Sequence, residues 1–454
     1  MRSEAEDPEG ARRARRWLVA LVAAALALRL PGYLGWWFNP DEAIYLEVAT
    51  THAQRARAMV EHNAHPPLQY ALLRLLAPLS TSPPWLRLPS LIAGVALVPL
   101  VHAAVRRLAS PRAALVAAAL VAVSPMSTAV AGVMRPYALQ QAALALALLG
   151  WAGWIAGGGG AWLVALALAL CTALGLHYSS FAALAAFGLA LLALGAARAL
   201  SQRRWLGLAV ALLPPGGTAV YLYVAHIAPR LEGSGLQAEA REGWLQAQFA
   251  DGFAACFGRV TDLFEGLFGL PHLALAFAVV ALAVGLRARS VARLALPLAA
   301  LAAALGLSLA GKYPLGGSRH SAWLLVFLAP LVADGVGDLL RARARPLAVA
   351  GLAAALLLVA GSARHAVRLS RGRGLGELRP EGTVRPGEVA AVKRALGELL
   401  DPEAVVLTDQ QSLNLLRAEL GSEEPLLRKG GGSGLSRAIV GGRTFLFLPS
   451  DAER

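Results

Sequence analysis

The chain predicts an all-helical polytopic membrane protein of about eleven spans, followed by a small C-terminal α/β unit. Three observations carry that reading. Hydrophobic residues make up 57% of the 454 positions and charged residues only 15%. Apolar runs long enough to cross a hydrocarbon core of about 30 Å recur along the chain. Those runs are built mainly from Ala and Leu, both good helix formers. Short strands of alternating polar and apolar residues do not recur, so a membrane barrel is not expected.

The apolar segments fall near 17–36, 87–105, 112–131, 136–156, 161–177, 181–199, 205–225, 272–287, 291–310, 321–341 and 346–362. Arg12, Arg13, Arg15 and Arg16 precede the first. Further Arg clusters follow the second (Arg106, Arg107, Arg112), the sixth (Arg198, Arg203, Arg204), the eighth (Arg287, Arg289, Arg293) and the tenth (Arg341, Arg343, Arg345). Positive residues retain loops in the cytoplasm, so every second loop and residues 1–16 are assigned inside. Loops 37–86, 132–135, 178–180, 226–271 and 311–320, and the chain beyond about 363, then face outward. The first span is read as a retained anchor, because no small-residue cleavage site follows it before Trp36 and Trp37. The net charge of +14 is explained by this loop pattern, and no nucleic-acid partner is expected.

In the first outer loop, Ile44, Val48 and Ala49 recur with helical spacing on a helix begun by Asp41 or Glu42, where acids favour the positive end of the dipole. A second short helix is expected from Pro67 to Leu76, with Pro in the first turn. Loop 226–271 carries an amphipathic series, Leu245, Phe249, Phe253, Phe257, Val260, Leu263, Phe264 and Leu267, that suits either a lid or a structural belt. Pro214 and Pro215 should kink the seventh span. Gly157 to Gly160 read as a short cytoplasmic turn.

The transmembrane domain is bounded at 17–363, with 364–388 an Arg-, Gly- and Pro-rich linker and 389–454 the small extracytoplasmic α/β domain. In that last part Ala404 to Asp409 and Thr444 to Leu448 read as strands and Ser412 to Leu420 as a helix. Lys429 to Gly434 is a flexible turn; it lacks the Lys-Ser/Thr of a phosphate loop. Cys171 and Cys256 have no metal-ligand spacing, so neither a zinc site nor a disulfide framework is expected.

Function is sought where charge meets the membrane edge, because charge there is costly. Asn39-Pro40-Asp41-Glu42, His65-Pro66-Pro67-Leu68-Gln69-Tyr70 and Arg135-Pro136-Tyr137 all fall on the outward face. Each has a plainer explanation: Asp41 and Glu42 as helix caps, His65 as the start of a turn, Arg135 snorkelling to headgroups. Their coincidence on one face argues for a single site.

The succession of these motifs with Tyr313-Pro314-Leu315-Gly316-Gly317-Ser318-Arg319-His320 resembles the bacterial branch of the GT-C glycosyltransferases. Within it the chain is similar to the protein O-mannosyltransferase-like family, glycosyltransferase family 39, and to the aminoarabinose transferases that modify lipid A. The resemblance covers roughly residues 15 to 365 and leaves out the C-terminal part. It implies a GT-C-type transmembrane domain that moves a monosaccharide from a polyprenyl-phosphate carrier, with inversion, on the extracytoplasmic face of the inner membrane. Asp41 is then the general-base candidate and Glu42 the partner that positions the acceptor or a basic residue. His65, Arg135, Tyr137, Lys312, Arg319 and His320 are the substrate-binding candidates, with the cations taking up charge on the leaving phosphate. His177, beside Tyr178, matches a family position loosely. Lys312, Arg319 and His320 suit ordinary interface anchors equally well.

One departure stands out. Relatives often carry an acid two residues before the Arg of the Arg-Pro-Tyr segment, where this chain has Val133. Asp251 or Asp262 could substitute, but nothing in the sequence selects either. A divalent metal is therefore left open and no metal ligands are assigned. The acceptor is also open among lipid, glycan and protein, and a flippase or transporter of lipid-linked sugar is the competing function.

Overall fold

A computed structural model of the chain describes residues 8–35, 40–62, 65–231, 253–288 and 290–371, and four strands between 405 and 448. Trp36, Trp37, Asn39, Asp251, the helix expected at 412–420 and the remainder of the predicted linker lie outside the described residues. Among those described, seven continuous helical stretches are long and apolar enough to cross a membrane, two bent helix pairs qualify jointly, and two shorter apolar helices accompany them. Together they occupy every apolar segment expected from the sequence. The protein is a multi-pass helical membrane protein.

The order is α1 (Pro8–Gly35), α2 (Pro40–Thr50), α3 (Ala53–His62), α4 (Leu68–Leu76), α5 (Pro83–Leu108), α6 (Pro111–Ala122), α7 (Pro125–Ala131), α8 (Tyr137–Ile155), α9 (Ala161–Leu176) and α10 (Ser180–Ala196). There follow α11 (Gln202–Ala211), α12 (Leu213–Leu222), a π turn (Tyr223–Ile227), α13 (Ala228–Leu231), α14 (Phe253–Phe268), α15 (Pro271–Arg287) and α16 (Val291–Leu309). A 3-10 turn (Arg319–Leu324) leads into α17 (Leu325–Leu340), and α18 (Arg345–Ser370) closes the bundle, continuing seven residues into the segment read as linker. Small residues let these helices approach closely, as in membrane bundles generally. A Cβ on Gly150 of α8 would lie 2.8 Å from the backbone of Trp162 and Leu166 in α9. The turn between those helices uses Gly157 at φ +107, a conformation that favours glycine.

Both bent pairs are explained locally. α6 stops at Ser124-Pro125: the Ser124 hydroxyl accepts from the Ser127 N–H, and Pro125 takes a first-turn position. The 53° bend leaves carbonyls at the end of α6 without helical partners. Buried Arg29 of α1 supplies them, donating to Ala122 O at 2.9 Å, Val121 O at 3.2 Å and Ser127 Oγ at 2.9 Å. α14 meets α15 at 99° through Gly269, φ +71. There Ser124 donates to Leu267 O at 2.8 Å and Ser362 donates to Phe268 O. Of the amphipathic series expected in loop 226–271, Leu245 and Phe249 lie outside the described residues, and the part from Phe253 onward lies on α14, whose Leu263, Phe264 and Leu267 are buried while Phe257 is exposed. It is half of a bent pair, so its second half carries the chain directly into the eighth apolar segment.

The strands β1 (Val405–Thr408), β2 (Leu427–Lys429), β3 (Arg437–Val440) and β4 (Arg443–Leu448) form one sheet in the order β2-β1-β4-β3. β1 runs parallel to both neighbours and β3 antiparallel to β4. The two strands expected from sequence are β1 and β4.

Candidate active site

α2 begins at Pro40, which places Asp41 and Glu42 in its first turn. The Asp41 side chain lies outside the described residues. Tyr45, further along α2, stacks on Tyr70 of α4 with ring centroids 4.7 Å apart and lies 6.0 Å from His65.

Glu42 is turned inward, with 0% exposure. Its carboxylate accepts from Arg87 Nε at 2.8 Å and Arg87 Nη2 at 2.6 Å, a two-pronged pair, and from the Met134 N–H at 2.7 Å. Gln69 donates to Met134 O at 2.7 Å. One residue of the 132–135 segment is thereby held from both sides, and Arg135 follows it. Of the two roles the sequence left to Glu42, pairing with a basic residue is the one seen, and it places this acid in the framework. Sequence reasoning missed Arg87, whose position at the start of an apolar run read as a span boundary.

His65, Arg135, Tyr137, His177 and His320 come together although they lie on four separate segments. The His177 ring is 5.1 Å from His65, 4.9 Å from Tyr137 and 5.9 Å from His320, and Tyr137 is 5.8 Å from His320. With Tyr45 and Tyr70 the rings form a continuous aromatic file from α2 and α4 to the 3-10 turn. The Arg135 guanidinium lies over Tyr137, 5.3 Å from its centroid, and its Nη2 approaches His65 Nε2 at 3.5 Å.

The hydrogen-bond partners assign tautomers. A guanidinium only donates, so His65 Nε2 accepts and the proton sits on Nδ1, a buried atom that finds no partner. The Ser179 N–H donates to His177 Nδ1 at 3.1 Å, so that ring carries its proton on Nε2. The Tyr137 hydroxyl is also buried without a partner. Burial, then the neighbouring His177 and Arg135 and more distant cations, hold the His65 imidazole well below its ordinary range. Burial, with Arg135 and Arg319, lowers His177 to about 3. The two rings are therefore neutral N–H donors. Donors and guanidiniums in a partly enclosed site suit a phosphate.

Arg319 joins the cluster electrostatically, lowering both His65 and His177. Tyr313 fixes the turn that carries it, donating to His320 O at 2.9 Å and accepting from Trp323 Nε1 at 2.9 Å. Lys312 departs from expectation: its side chain is exposed and is not drawn into the ring cluster. A flexible ammonium gains more from water than from an apolar crevice. Asp262 is also exposed. Among the described residues no three His, Cys, Asp or Glu side chains are arranged to hold a metal ion.

The fold is of the GT-C type. The family described as dolichyl-phosphate-mannose-protein mannosyltransferase matches residues 64–215, the stretch holding His65, Arg135, Tyr137 and His177. ArnT from Cupriavidus metallidurans, solved bound to undecaprenyl phosphate, shares the fold at TM-score 0.59 and 17% identity, over 92% of this chain and 86% of that one. AglB from Archaeoglobus fulgidus, an archaeal oligosaccharyltransferase solved with an inhibitory peptide and a dolichol-phosphate, superposes at TM-score 0.56 and 14% identity, over 89% of this chain and 63% of that one. No curated protein matches in sequence. The resemblance drawn from the ordered motifs is upheld by both the family match and the fold.

Proposed function

We propose that this protein transfers a monosaccharide from a polyprenyl-phosphate carrier to an acceptor hydroxyl, with inversion, on the extracytoplasmic face of the inner membrane. The observation that carries the reading is the donor cluster of buried Arg135, His177 and Tyr137 with partly buried His65, beside the helix that bears Asp41, with His65 Nδ1 and the Tyr137 hydroxyl unpartnered. Lipid phosphates bound by ArnT and AglB support the same substrate class.

Asp41 accepts the acceptor's proton as the acceptor oxygen bonds to the anomeric carbon. The bond from that carbon to the phosphate oxygen breaks, its electron pair staying with the phosphate. The carrier phosphate gains one negative charge, and Arg135 with the imidazole donors receives it in surroundings of low dielectric. Arg319 and His320 extend the same end of the site. Glu42 acts through Arg87 and Met134 to hold α2 against the segment that carries Arg135.

The test is transfer of label from radiolabelled polyprenyl-phosphate sugars to a membrane extract, comparing wild type with Asp41→Asn. Transfer by wild type alone is expected and names the donor. Equal transfer by the variant would overturn the role of Asp41. Label that crosses sealed vesicles without transfer would assign a flippase instead.

A further inference from the structure

α14 touches the loop that delivers Arg319 and His320, and it does so backbone to backbone. A Cβ on Gly266 would lie 2.9 Å from Gly317 O, 3.0 Å from Met126 Cε and 3.2 Å from Gly317 Cα. In the reverse direction, a Cβ on Gly317 would lie 2.8 Å from Asp262 O. Arg259 Nη1 reaches Leu315 O at 3.4 Å. Residues 259, 262 and 266 recur at helical spacing, so one face of α14 rests on 315–317. Backbone atoms cannot swing aside as a side-chain end does, and real Cβ contacts essentially never fall below about 3 Å.

Neither partner is free to shift independently. The far end of α14 is fixed by Ser124 and Ser362 on its last carbonyls. The loop is fixed by the Tyr313 hydroxyl between His320 O and Trp323 Nε1. Gly316, at φ +155, supplies a backbone conformation that side chains rarely adopt, one residue before the contact. Arg319 follows Gly317 by two residues.

We infer that Gly266 is a positioning residue: its bare Cα lets α14 seat the Gly316–Gly317 backbone, and that seat sets Arg319 and His320 at the phosphate-binding end of the site. The inference rests on the proposed function for its ligand. Phosphate contacts are sensitive to displacement on this scale, since a shift of about 1 Å in a positioned group can cost up to about a hundredfold.

Gly258 supplies the control, lying on the same helix with no atom within 4 Å of its would-be Cβ. The measurement is the Kd of undecaprenyl phosphate for full-length protein in nanodiscs, paired with backbone hydrogen exchange at residues 313–323 and 137–155. Gly266→Ala should weaken binding about tenfold or more and raise exchange at 313–323 alone. Gly258→Ala should stay within about twofold of wild type in binding. A merely structural role for Gly266 would lower the melting temperature and leave the Kd of the folded protein unchanged, which overturns the inference. Faster exchange with unchanged Kd overturns it equally. Should Gly266→Ala fail to fold, Arg259→Gln withdraws the guanidinium from Leu315 O without adding bulk and should move the same two readouts less far. A wild type that binds no undecaprenyl phosphate overturns the functional reading, and the exchange comparison then still decides whether Gly266 seats the loop.

Discussion

Glu42 and Arg87 form a two-pronged ion pair, 2.6 and 2.8 Å, in which the side chains are 0% and 1% exposed. It joins α2 to α5, and the same carboxylate holds the Met134 N–H. Removing one partner of such a pair strands a buried charge, at a cost of about 3–5 kcal/mol. Arg87→Met alone should therefore lower stability strongly in a detergent unfolding titration, and Glu42→Gln with Arg87→Met should recover much of it. Transfer should stay low in the double variant, because the tie to the segment carrying Arg135 is weakened. Full activity in that variant would contradict a positioning role.

Arg135 lies against both Tyr137 and His65, a planar arrangement that an ammonium does not reproduce. Arg135→Lys should weaken polyprenyl-phosphate binding about tenfold, and Arg135→Gln further, with the KM for acceptor little changed. An effect confined to the acceptor would move Arg135 to the other substrate.

The histidines make stability pH-dependent. Unfolded histidine titrates near about 6.5. Folded His65 takes a proton only well below that value, and His177 only at about 3. In the interval the unfolded chain binds more protons, so stability is complete above about pH 6.5 and falls as the pH drops, by about 1.4 kcal/mol per unit for each such ring. The melting temperature should fall between about pH 7 and pH 5, and His177→Asn should flatten the slope. Bound polyprenyl phosphate favours the charged rings and should reduce the acid loss. A flat profile in wild type would exclude neutral buried imidazoles.

Arg29 completes the end of α6 inside the bundle by donating to Val121 O and Ala122 O. Arg29→Met leaves these carbonyls where water is scarce, and should cost at least about 2 kcal/mol in the same titration. An unchanged midpoint would show that other groups replace it.

Much of this was legible in the sequence. Each apolar run became a helix or bent pair because only hydrogen-bonded helices or closed barrels satisfy the backbone in lipid. Proline announced the start of α4, immediately before its first residue. The break before α7 went unread inside a segment taken as one span, although Ser124 and Pro125 favour a cap and a first turn there. His65, Arg135 and Tyr137 were singled out as candidates from short motifs at membrane edges and His320 from the family resemblance, and the fold brings the four together. Arg29 carried a signal that went unread: a lone guanidinium inside an apolar run needs buried partners. Arg87 carried none, since an Arg at the start of a span usually faces water. Lys312 and Arg319 are alike as cations near one interface, yet only Arg319 reaches the cluster's field, a difference set by the Tyr313 staple and the turn at Gly316.

The sequence by itself determined the succession of apolar helices, the Arg-rich alternate loops and the short polar motifs between them, because hydrophobicity, helix periodicity and charge act over neighbouring positions. Tertiary structure decided the pairing of Glu42 with Arg87, the meeting of three histidines from three segments, and the seat of Gly317 on Gly266. Those depend on which helix faces touch and at what separation, and that is settled only when the whole bundle packs and every buried polar group competes for the same few partners.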